Sequence, residues 1–320
     1  MRIYRHYNEL SEDHRNGAIA IGNFDGVHLG HSEVINRAGR FAHERGIPWG
    51  VLTFEPHPRM VFNTGEPPFR LTPFHIKARQ IEVMGVEFLV VVHFDLEFAK
   101  VTAEDFVSRV LVQGFEASYV VSGFDFVFGH NRVGTTEFLR AKGIHFGFGT
   151  SGIKQVLDQD GEIISSTRIR EFLAAGKPRD AARLLGRRFE IEGRVAQGDQ
   201  RGRTIGFPTA NIELDTNTRP KIGVYAIQAG IDRGPDTVWH DGVANLGYRP
   251  TFNGDKCVLE AHLFDFDEDI YGAHLRVALV DYIRPEHKFD GIEELTAQIK
   301  KDCAQSKEIL AKESIEHEST

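Results

Sequence analysis

The chain is poor in cysteine, tryptophan and methionine, with two, two and three of these residues among 320. Cys257 and Cys303 stand far apart in the sequence and have no partners at metal-site spacing. This excludes a disulfide framework and a cysteine-based zinc site. Both cysteines lie in apolar patterns and are therefore predicted to be buried thiols.

Long apolar runs and an excess of positive charge are also missing. No apolar stretch approaches the ~18 residues that a membrane-spanning helix requires, and residues 1–6 do not begin a signal peptide. We therefore expect a cytoplasmic protein with no membrane segment. The formal net charge of −8 argues against a dedicated nucleic-acid binder. It allows a nucleotide ligand, because basic groups close to the phosphates decide such binding.

The length and composition predict two globular domains. In the first part, candidate strands alternate with candidate helices. This predicts an α/β domain with a parallel sheet, whose ligands bind beyond the carboxyl ends of the strands. From Arg187 onwards, short strands lie between glycine-rich turns, which predicts an antiparallel β-barrel. A terminal helix is predicted to pack on the barrel through residues that recur at helical spacing, namely Ile292, Leu295, Ile299 and Cys303. The predicted domains are residues 1–186 and 187–320.

Residues 22–31, GNFDGVHLGH, connect a short apolar strand to a helix whose apolar residues share one face. Backbone N–H groups and the positive end of a helix attract phosphate, so this turn suits an anion. Gly26 and Gly30 would let a ligand approach the backbone. His28 and His31 can donate hydrogen bonds to phosphate oxygens whose charge grows in a transition state. The stretch lacks the lysine of a P-loop. Alone, the two histidines could equally be chance residues of a surface turn.

Two further stretches follow predicted strands and should reach the same cleft. They are TFEPHP at residues 53–58 and SGFDFVFG at residues 122–129. Both would stand beside the histidine turn at the carboxyl edge of the sheet. Each alone could be an ordinary loop or an aromatic core segment. Thr72 is predicted to cap the next helix, with Pro73 at its first position.

The stretch ISSTRIR at residues 164–170 predicts a second phosphate clamp. Ser166 or Thr167 can cap the following helix. Hydroxyl groups, backbone N–H groups and the Arg170 guanidinium at a helix start can bind phosphate oxygens. The alternative is a plain helix cap.

Residues 193–211, GRVAQGDQRGRTIGFPTAN, form the most informative stretch of the second part. Glycines and arginines around a turn could wrap nucleotide phosphates. Thr209 and Asn211 alternate on an extended segment, so that their oxygens can point to one face and suit Mg²⁺. Taken singly, a threonine and an asparagine near a turn are more often structural.

In the stretch LEAHLFDF at residues 259–266, apolar and polar positions alternate over residues 259–263. The apolar residues would share one face of a strand, while Glu260 and His262 would share the other. An exposed glutamate on a strand is usually only solvated, and His262 is predicted to be structural.

Taken in chain order, these stretches resemble the bacterial bifunctional riboflavin kinase/FAD synthetases over about residues 17–305. The patterns are GxFDGxHxGH, TFxPHP, DFxFG, ISSTxIR, GRxxGFPTAN, GVANIGxxPTF and LExHxFDF. Ser122 stands where the family often has glycine, and Phe124 fills a varied position. The resemblance implies a Rossmann-like nucleotidyltransferase domain followed by an antiparallel β-barrel riboflavin kinase domain with a terminal helix.

The same resemblance implies two ATP-dependent reactions. The second domain would phosphorylate riboflavin to FMN and release ADP, and the first would adenylylate FMN to FAD and release pyrophosphate. Thr209 and Asn211 would hold Mg²⁺ with the ATP, and Glu260 would accept the riboflavin proton. His28 and His31 would act on the reacting phosphate. The ATP- or phosphate-binding residues implied are Gly22, Asn23, Phe24, Asp25, Gly26, Ser166, Thr167, Arg170, Gly198, Gly202, Arg203 and Gly206.

The flavin contacts are predicted from fewer signals. Phe62 and Phe128 are the candidates for stacking on the isoalloxazine, with Asp125 beside them. For either phenylalanine alone, core packing is the stronger alternative. Two other functions stay open at this stage: an enzyme with one working domain and one scaffold domain, and a flavin carrier without turnover. Paired phosphate clamps disfavour the carrier. The sequence leaves the oligomeric state open.

Overall fold

The computed structural model describes residues 1–63, 67–196, 206–214, 217–251 and 254–318. Its contacts divide the chain into two compact units, Met1–Ser166 and Thr167–Thr320. The predicted boundary at residues 186 and 187 falls inside the second unit. The reason is that the helix Pro178–Leu185 packs against strands of that unit. Among the described residues, no helix combines the length and the apolar character needed to cross a membrane.

The first unit contains a six-stranded sheet in the order β1-β4-β3-β2-β5-β6, and its paired strands run parallel. This confirms the predicted parallel α/β fold. The strands are β1 (Arg2–Tyr4), β2 (Ala18–Ile21), β3 (Trp49–Glu55), β4 (Phe88–His93), β5 (Tyr119–Gly123) and β6 (Gly149–Ile153).

Helices cover both faces of this sheet. Along β2, Ala18 and Ala20 pack in one core cluster while Ile19 and Ile21 pack in the other. Burial on both faces explains why these strands are almost continuously apolar. The helices are α1 (Leu29–Arg45), α2 (Pro58–Phe62), α3 (Phe74–Val83), α4 (Ala103–Asp105), which continues as the π-helical segment Phe106–Gly114, and α5 (Thr136–Phe146).

The strand order reverses at β2. Strands β3 and β4 lie on one side of β2, and β5 lies on the other. In open parallel sheets, such a reversal leaves a crevice beyond the carboxyl ends of the two central strands. The turn that follows β2, residues 22–28, therefore begins at the place where ligands of this sheet type bind.

The second unit contains a six-stranded antiparallel sheet in the order β7-β12-β9-β10-β11-β8. The Ala196 N–H donates to the Asn211 carbonyl at 2.8 Å, which links the two edge strands and nearly closes the sheet into a barrel. This confirms the predicted barrel. The elements are α6 (Ser166–Ala174), α7 (Pro178–Leu185), β7 (Phe189–Arg194), β8 (Ala210–Glu213), β9 (Gly223–Ile231), β10 (His240–Thr251), β11 (Gly254–Leu263), β12 (His274–Arg284) and α8 (Ile292–Glu318).

The terminal helix α8 packs on the barrel through the predicted side, on which Leu295, Ile299 and Cys303 are partly buried. The prediction for Ile292 is wrong, since its side chain is 68% exposed. Asp302, Ser306 and Leu310 recur every four residues on this same side and are buried. The Arg284 guanidinium donates two hydrogen bonds to the Asp302 carboxylate, at 2.9 and 2.7 Å. The barrel thus supplies polar partners, so that a partly polar helix face is the one that is covered.

The two thiols differ in burial. Cys257 is buried, as predicted, whereas Cys303 is only partly buried. Burial raises the pKa of both thiols above the usual range, because the thiolate loses hydration. Neither environment favours a reactive thiolate.

Candidate active sites

The turn between β2 and α1 has an unusual backbone. Phe24 and Val27 have φ angles of 48° and 42°, and Gly26 has 93°. Positive φ is uncommon outside glycine and is a clear outlier for a β-branched residue such as valine. Both side chains are buried in the core beneath the turn, which holds the conformation in place. Strain of this kind concentrates at functional sites.

The two motif histidines lie together at the start of α1. Their rings stack with centroids 3.6 Å apart and an interplanar angle of 17°. His28 is the N-cap, and its Nδ1 accepts a hydrogen bond from the His31 backbone N–H at 3.2 Å. A neutral imidazole that accepts at Nδ1 carries its proton on Nε2. The two rings therefore lie together at the first turn of α1, and the binding of an anion there stays a prediction.

Gly30 makes room for the ring of His28. A Cβ at this position would lie 3.1 Å from Nδ1 and Cε1 of the His28 ring, closer than side chains usually pack. The glycine thus leaves room for the imidazole to lie against the helix. The third glycine of the motif therefore serves the placement of the histidine, and its part in the approach of a ligand stays a prediction.

Asp25 is buried and holds the turn to a neighbouring loop. Its carboxylate accepts hydrogen bonds from the backbone N–H groups of Leu71, at 2.9 and 3.2 Å, and Thr72, at 3.1 Å. The Gly26 N–H donates to the Thr72 hydroxyl at 3.0 Å. The Ser166 hydroxyl donates to the Asp25 carbonyl at 2.8 Å. These bonds give Asp25, Gly26 and Ser166 a structural part in shaping the turn.

The prediction that Thr72 caps a helix is wrong. Helix α3 begins at Phe74, its N-cap is Pro73, and this cap makes no side-chain hydrogen bond. The Thr72 hydroxyl accepts instead from Gly26, as described above. The threonine therefore stabilises the histidine turn and not the helix that follows it.

Replacement of Asp25 by alanine is expected to destabilise the first unit by about 1–3 kcal/mol, because two buried N–H groups lose their acceptor. The free energy of unfolding in urea, followed by circular dichroism, measures this loss. Asp95→Ala is the matched control, since the Asp95 carboxylate also accepts a backbone N–H, from Phe98 at 2.7 Å, but is far more exposed. Equal losses in the two variants would contradict a special role for Asp25.

A cluster of charged side chains at the end of β3 was not predicted from the sequence. The Glu55 carboxylate lies 2.9 Å from Arg70 Nη1 and 3.6 Å from Lys77 Nζ. Lys77 is only 2% exposed, and its burial lowers the pKa of the ammonium group, against the attraction of Glu55 and Asp25. Arg70 precedes the loop that holds Asp25, so that the cluster anchors the same loop. The stretch TFEPHP contains this glutamate, but nothing in the sequence indicates its partners.

The flavin-stacking candidates divide into one exposed and one buried residue. Phe62 is 60% exposed, with its ring centroid 5.9 Å from that of Phe94. Phe128 is 6% exposed and packs against Phe106 and Phe126, with centroids 5.1 and 5.4 Å apart. Phe128 is therefore a core residue, and the prediction that it stacks on a flavin is wrong. The predicted stacking of Phe62 on the isoalloxazine remains a hypothesis.

The turn that follows β5 presents further polar and aromatic surface. Asp125 is exposed in this turn, as a ligand contact would require. Its neighbour Phe124 is 47% exposed, although the sequence did not single it out. An exposed phenylalanine next to a strand end is the signal that could have identified it.

Helix α6 carries the other predicted phosphate-binding residues. Thr167 and Arg170 lie in its first turns, at the beginning of the second unit. The plain helix cap and the phosphate clamp both remain compatible with this position, and the clamp stays a prediction.

Three polar side chains form a row across the barrel of the second unit. Glu260 on β11 is paired with Asn211 on β8 on one side and with Asn245 on β10 on the other. The predicted alternation along β11 is confirmed, because Leu259 and Ala261 are buried while Glu260 is partly exposed. The register therefore brings the predicted metal ligand Asn211 next to the predicted base Glu260.

Thr209 lies just before β8, and its segment is held by His262. His262 Nδ1 hydrogen-bonds to the Pro208 carbonyl at 2.8 Å, and its ring meets that of Phe207 edge-on at 5.4 Å. This agrees with the structural role predicted for His262. The contact orders the FPTAN segment, on which the two predicted metal ligands stand.

A cavity of about 350 Å³ opens beside this segment. Thr209 and Asn211 line it together with residues 266–271, which the sequence pattern suggests only as a turn between strands. Its volume lies at the lower end of the range for small-molecule sites. Gly206 lies close by in a turn with φ 86°. The predicted phosphate ligands Gly198, Gly202 and Arg203 lie outside the described residues.

Arg249 joins the polar row, although no motif points to it. Its Nη2 group forms an ion pair with the Glu260 carboxylate and donates to Asn211 Oδ1 at 3.1 Å. In the sequence pattern GVANIGxxPTF, this arginine falls on a variable position. The pairing of β11 with β10 and with β8 brings it to these partners.

Comparison with known proteins agrees with both sets of motifs. The family model described as FAD synthetase matches residues 10–168, and the model described as riboflavin kinase matches residues 185–310. The bifunctional riboflavin kinase/FMN adenylyltransferase of Escherichia coli (strain K12) is 40% identical over 312 residues, which cover 97% of this chain and 98% of that protein. The Bacillus subtilis (strain 168) protein of the same description is 39% identical over 298 residues, or 92% of each chain.

A solved structure supports the fold over almost the whole length. It is the crystal structure of a Streptococcus pneumoniae protein described as a macrolide-efflux protein, with a TM-score of 0.82 and 32% identity. The match covers 94% of this chain and 96% of that one. Together with the family models and the two bacterial relatives, it leads to one conclusion: the chain belongs to the bifunctional riboflavin kinase/FMN adenylyltransferase family.

Proposed function

We propose that this protein carries out both reactions of its family. The second domain phosphorylates riboflavin with ATP to give FMN and ADP. The first transfers the adenylyl group of ATP to FMN and gives FAD and pyrophosphate. The observation that carries the proposal is the presence of two different polar sites in one chain, the stacked imidazoles of His28 and His31 and the barrel row of Asn211, Glu260 and Asn245.

Adenylyl transfer requires alignment and charge stabilisation. A phosphate oxygen of FMN attacks the α-phosphorus of ATP, and the bond to the leaving pyrophosphate breaks. His28 and His31 donate hydrogen bonds to the α-phosphate oxygens, whose negative charge grows in the transition state. The start of α1 adds its N–H groups and the positive end of its dipole. Holding both reactants in line supplies the remaining acceleration, so that no covalent enzyme intermediate is needed.

The remaining ligand contacts of the first reaction follow the motifs. Residues 22–26, Ser166, Thr167 and Arg170 bind the phosphates of ATP. Several groups of the turn are engaged within the protein, among them the Asp25 carboxylate and the Gly26 N–H. Asp25 and Gly26 therefore act mainly by keeping the turn in shape. Phe62 and Asp125 contact the flavin.

In the second reaction, Glu260 accepts the proton of the riboflavin 5′-hydroxyl as that oxygen attacks the γ-phosphorus of ATP. The bond between the γ-phosphorus and the bridging oxygen breaks, and ADP leaves. The residues present fit Mg²⁺, because the Thr209 hydroxyl and Asn211 Oδ1 are hard oxygen donors beside one cavity. The ion would neutralise phosphate charge there. Gly198, Gly202, Arg203 and Gly206 complete the phosphate site.

We place the functional boundary between residues 186 and 187. The FAD synthetase model ends at residue 168 and the riboflavin kinase model begins at residue 185, which supports this position. Helices α6 and α7 then belong by sequence to the first domain, while their contacts group them with the second compact unit.

The product assay tests both reactions at once. The protein is incubated with riboflavin, ATP and Mg²⁺, and the flavins are separated by chromatography. We expect FMN to appear first and FAD to follow, with release of ADP and pyrophosphate. A mixture without FMN would contradict the kinase, and FMN without FAD would contradict the adenylyltransferase. Flavin binding without any ADP or pyrophosphate would indicate a carrier.

A further inference from the structure

Arg249 connects two side chains that have separate tasks in the kinase reaction. Its guanidinium pairs with the carboxylate of the base Glu260 and donates to Oδ1 of the metal ligand Asn211 at 3.1 Å. The three residues come from β10, β11 and β8. One cation therefore fixes the relative position of the base and the ligand while no nucleotide is bound.

The guanidinium and a divalent ion would compete for the same oxygen. Asn211 Oδ1 has two lone pairs, but a metal ion bound there would lie close to a guanidinium hydrogen-bonded to the same atom. Two cations so close together repel each other strongly, because bulk water does not screen their charges there. The Arg249 side chain is 36% exposed, so that it has space to withdraw.

We propose that Arg249 is a positioning residue that holds Asn211 and Glu260 in the nucleotide-free protein and gives up Asn211 when the metal–nucleotide complex binds. This inference rests on the proposed kinase function of the second domain. Removal of the Arg249 charge is then expected to have opposite effects on metal binding and on turnover. Metal binding becomes tighter because a competing cation is gone. Turnover becomes slower because the Glu260 carboxylate loses the guanidinium that still holds it after Asn211 has been released.

The two consequences separate this role from the alternatives. A purely structural arginine would leave metal affinity unchanged or weaken it as the site loosened. An arginine that binds the nucleotide phosphates directly would weaken binding of the metal–nucleotide complex when it is removed. Only a positioning residue that competes with the ion gives tighter metal binding together with a lower kcat.

Electron paramagnetic resonance of Mn²⁺ measures the binding directly. The full chain is titrated with Mn²⁺ in the presence of ADP, which is a product of the kinase reaction only. We expect Arg249→Gln to bind Mn²⁺ at least fivefold more tightly than the unchanged protein. Arg249→Lys keeps one positive charge without the planar fork, so its affinity is expected to lie between the two. Equal or weaker binding in both variants would overturn the proposal.

Arg219→Gln is the matched control. Arg219 is in the same domain and lies over the ring of Tyr248, the neighbour of Arg249, with 5.6 Å between its Cζ and the ring centroid. We expect its Mn²⁺ affinity to equal that of the unchanged protein. Circular dichroism and the melting temperature report whether each variant is folded, and the lysine variant carries the test if the glutamine variant is not.

Steady-state kinetics of riboflavin phosphorylation supplies the second readout. Arg249→Gln is expected to lower kcat about tenfold while the Mg²⁺ concentration needed for half-maximal rate falls. A rise in that concentration would contradict the competition. Failure of the unchanged protein to form FMN would refute the proposed function. An unchanged Mn²⁺ affinity of Arg249→Gln, in a protein that forms FMN, would refute only the role of Arg249.

Discussion

Replacement of His28 by alanine is expected to reduce FAD formation from supplied FMN by about 10²–10³-fold, the range for loss of one donor to a charge that develops in a transition state. FMN formation from riboflavin is expected to stay unchanged. The His28 imidazole also accepts the His31 N–H and stacks on the His31 ring, so its removal disturbs both partners. Initial rates of the two reactions, measured separately by chromatography of the flavins, test the prediction.

A second substitution separates the chemical task of His28 from its capping task. Asparagine is a good N-cap, so His28→Asn preserves an acceptor at the start of α1 while the imidazole is lost. We expect this variant to fold normally and to lose FAD formation as severely as the alanine variant. Full activity of His28→Asn would assign the effect to the helix cap.

His43 supplies the matched control on the same helix. It lies in the last turn of α1 and is exposed. His43→Ala is therefore expected to retain both reactions. Parallel loss of FMN and FAD formation in the His28 variants would contradict the assignment of the two reactions to different sites.

Replacement of Glu260 by glutamine is expected to reduce riboflavin phosphorylation by about 10²–10⁴-fold, the usual contribution of a general base. Glutamine has the same shape and keeps an oxygen that can accept from Arg249, but it cannot take up the riboflavin proton. The loss should therefore appear in kcat, with little change in the KM for ATP. Adenylylation of supplied FMN should continue at its normal rate.

Glu213→Gln is the control for this variant. Glu213 lies on β8 beside β11, and its carboxylate forms an exposed ion pair with Lys256 at 2.8 Å. An exposed pair of this kind contributes little, so both reactions should be retained. If Glu260→Gln behaves like Glu213→Gln, the glutamate is only a solvated residue of the strand.

The comparison of the two units shows where sequence patterns are reliable. Strand β2 and the first turns of α1 are close in sequence, so the placement of His28 and His31 at a helix start follows from local periodicity and turn chemistry. The alternation along β11 likewise decides that Glu260 lies opposite the buried Leu259 and Ala261. These features need no knowledge of distant residues.

The corrected residues all depend on partners far away in the chain. Thr72 is a sound helix cap by local rules, yet its hydroxyl accepts from Gly26. Phe128 belongs to a motif, yet neighbouring phenylalanines enclose it. Ile292 continues an apolar pattern, yet at the beginning of α8 it is 68% exposed, and the buried positions further along the helix include Asp302, whose partner is Arg284.

The sequence alone therefore determines the fold class of each part, the types of most elements and the candidate residues of both sites, because periodicity, turn composition and short motifs are local properties. Tertiary structure alone decides how those residues are held. The buried link from Asp25 to residues 71 and 72, the cluster around Glu55, and the bridge from Arg249 to Asn211 and Glu260 join segments that are far apart in the chain. Such contacts follow from strand order and register, which no single stretch of sequence encodes.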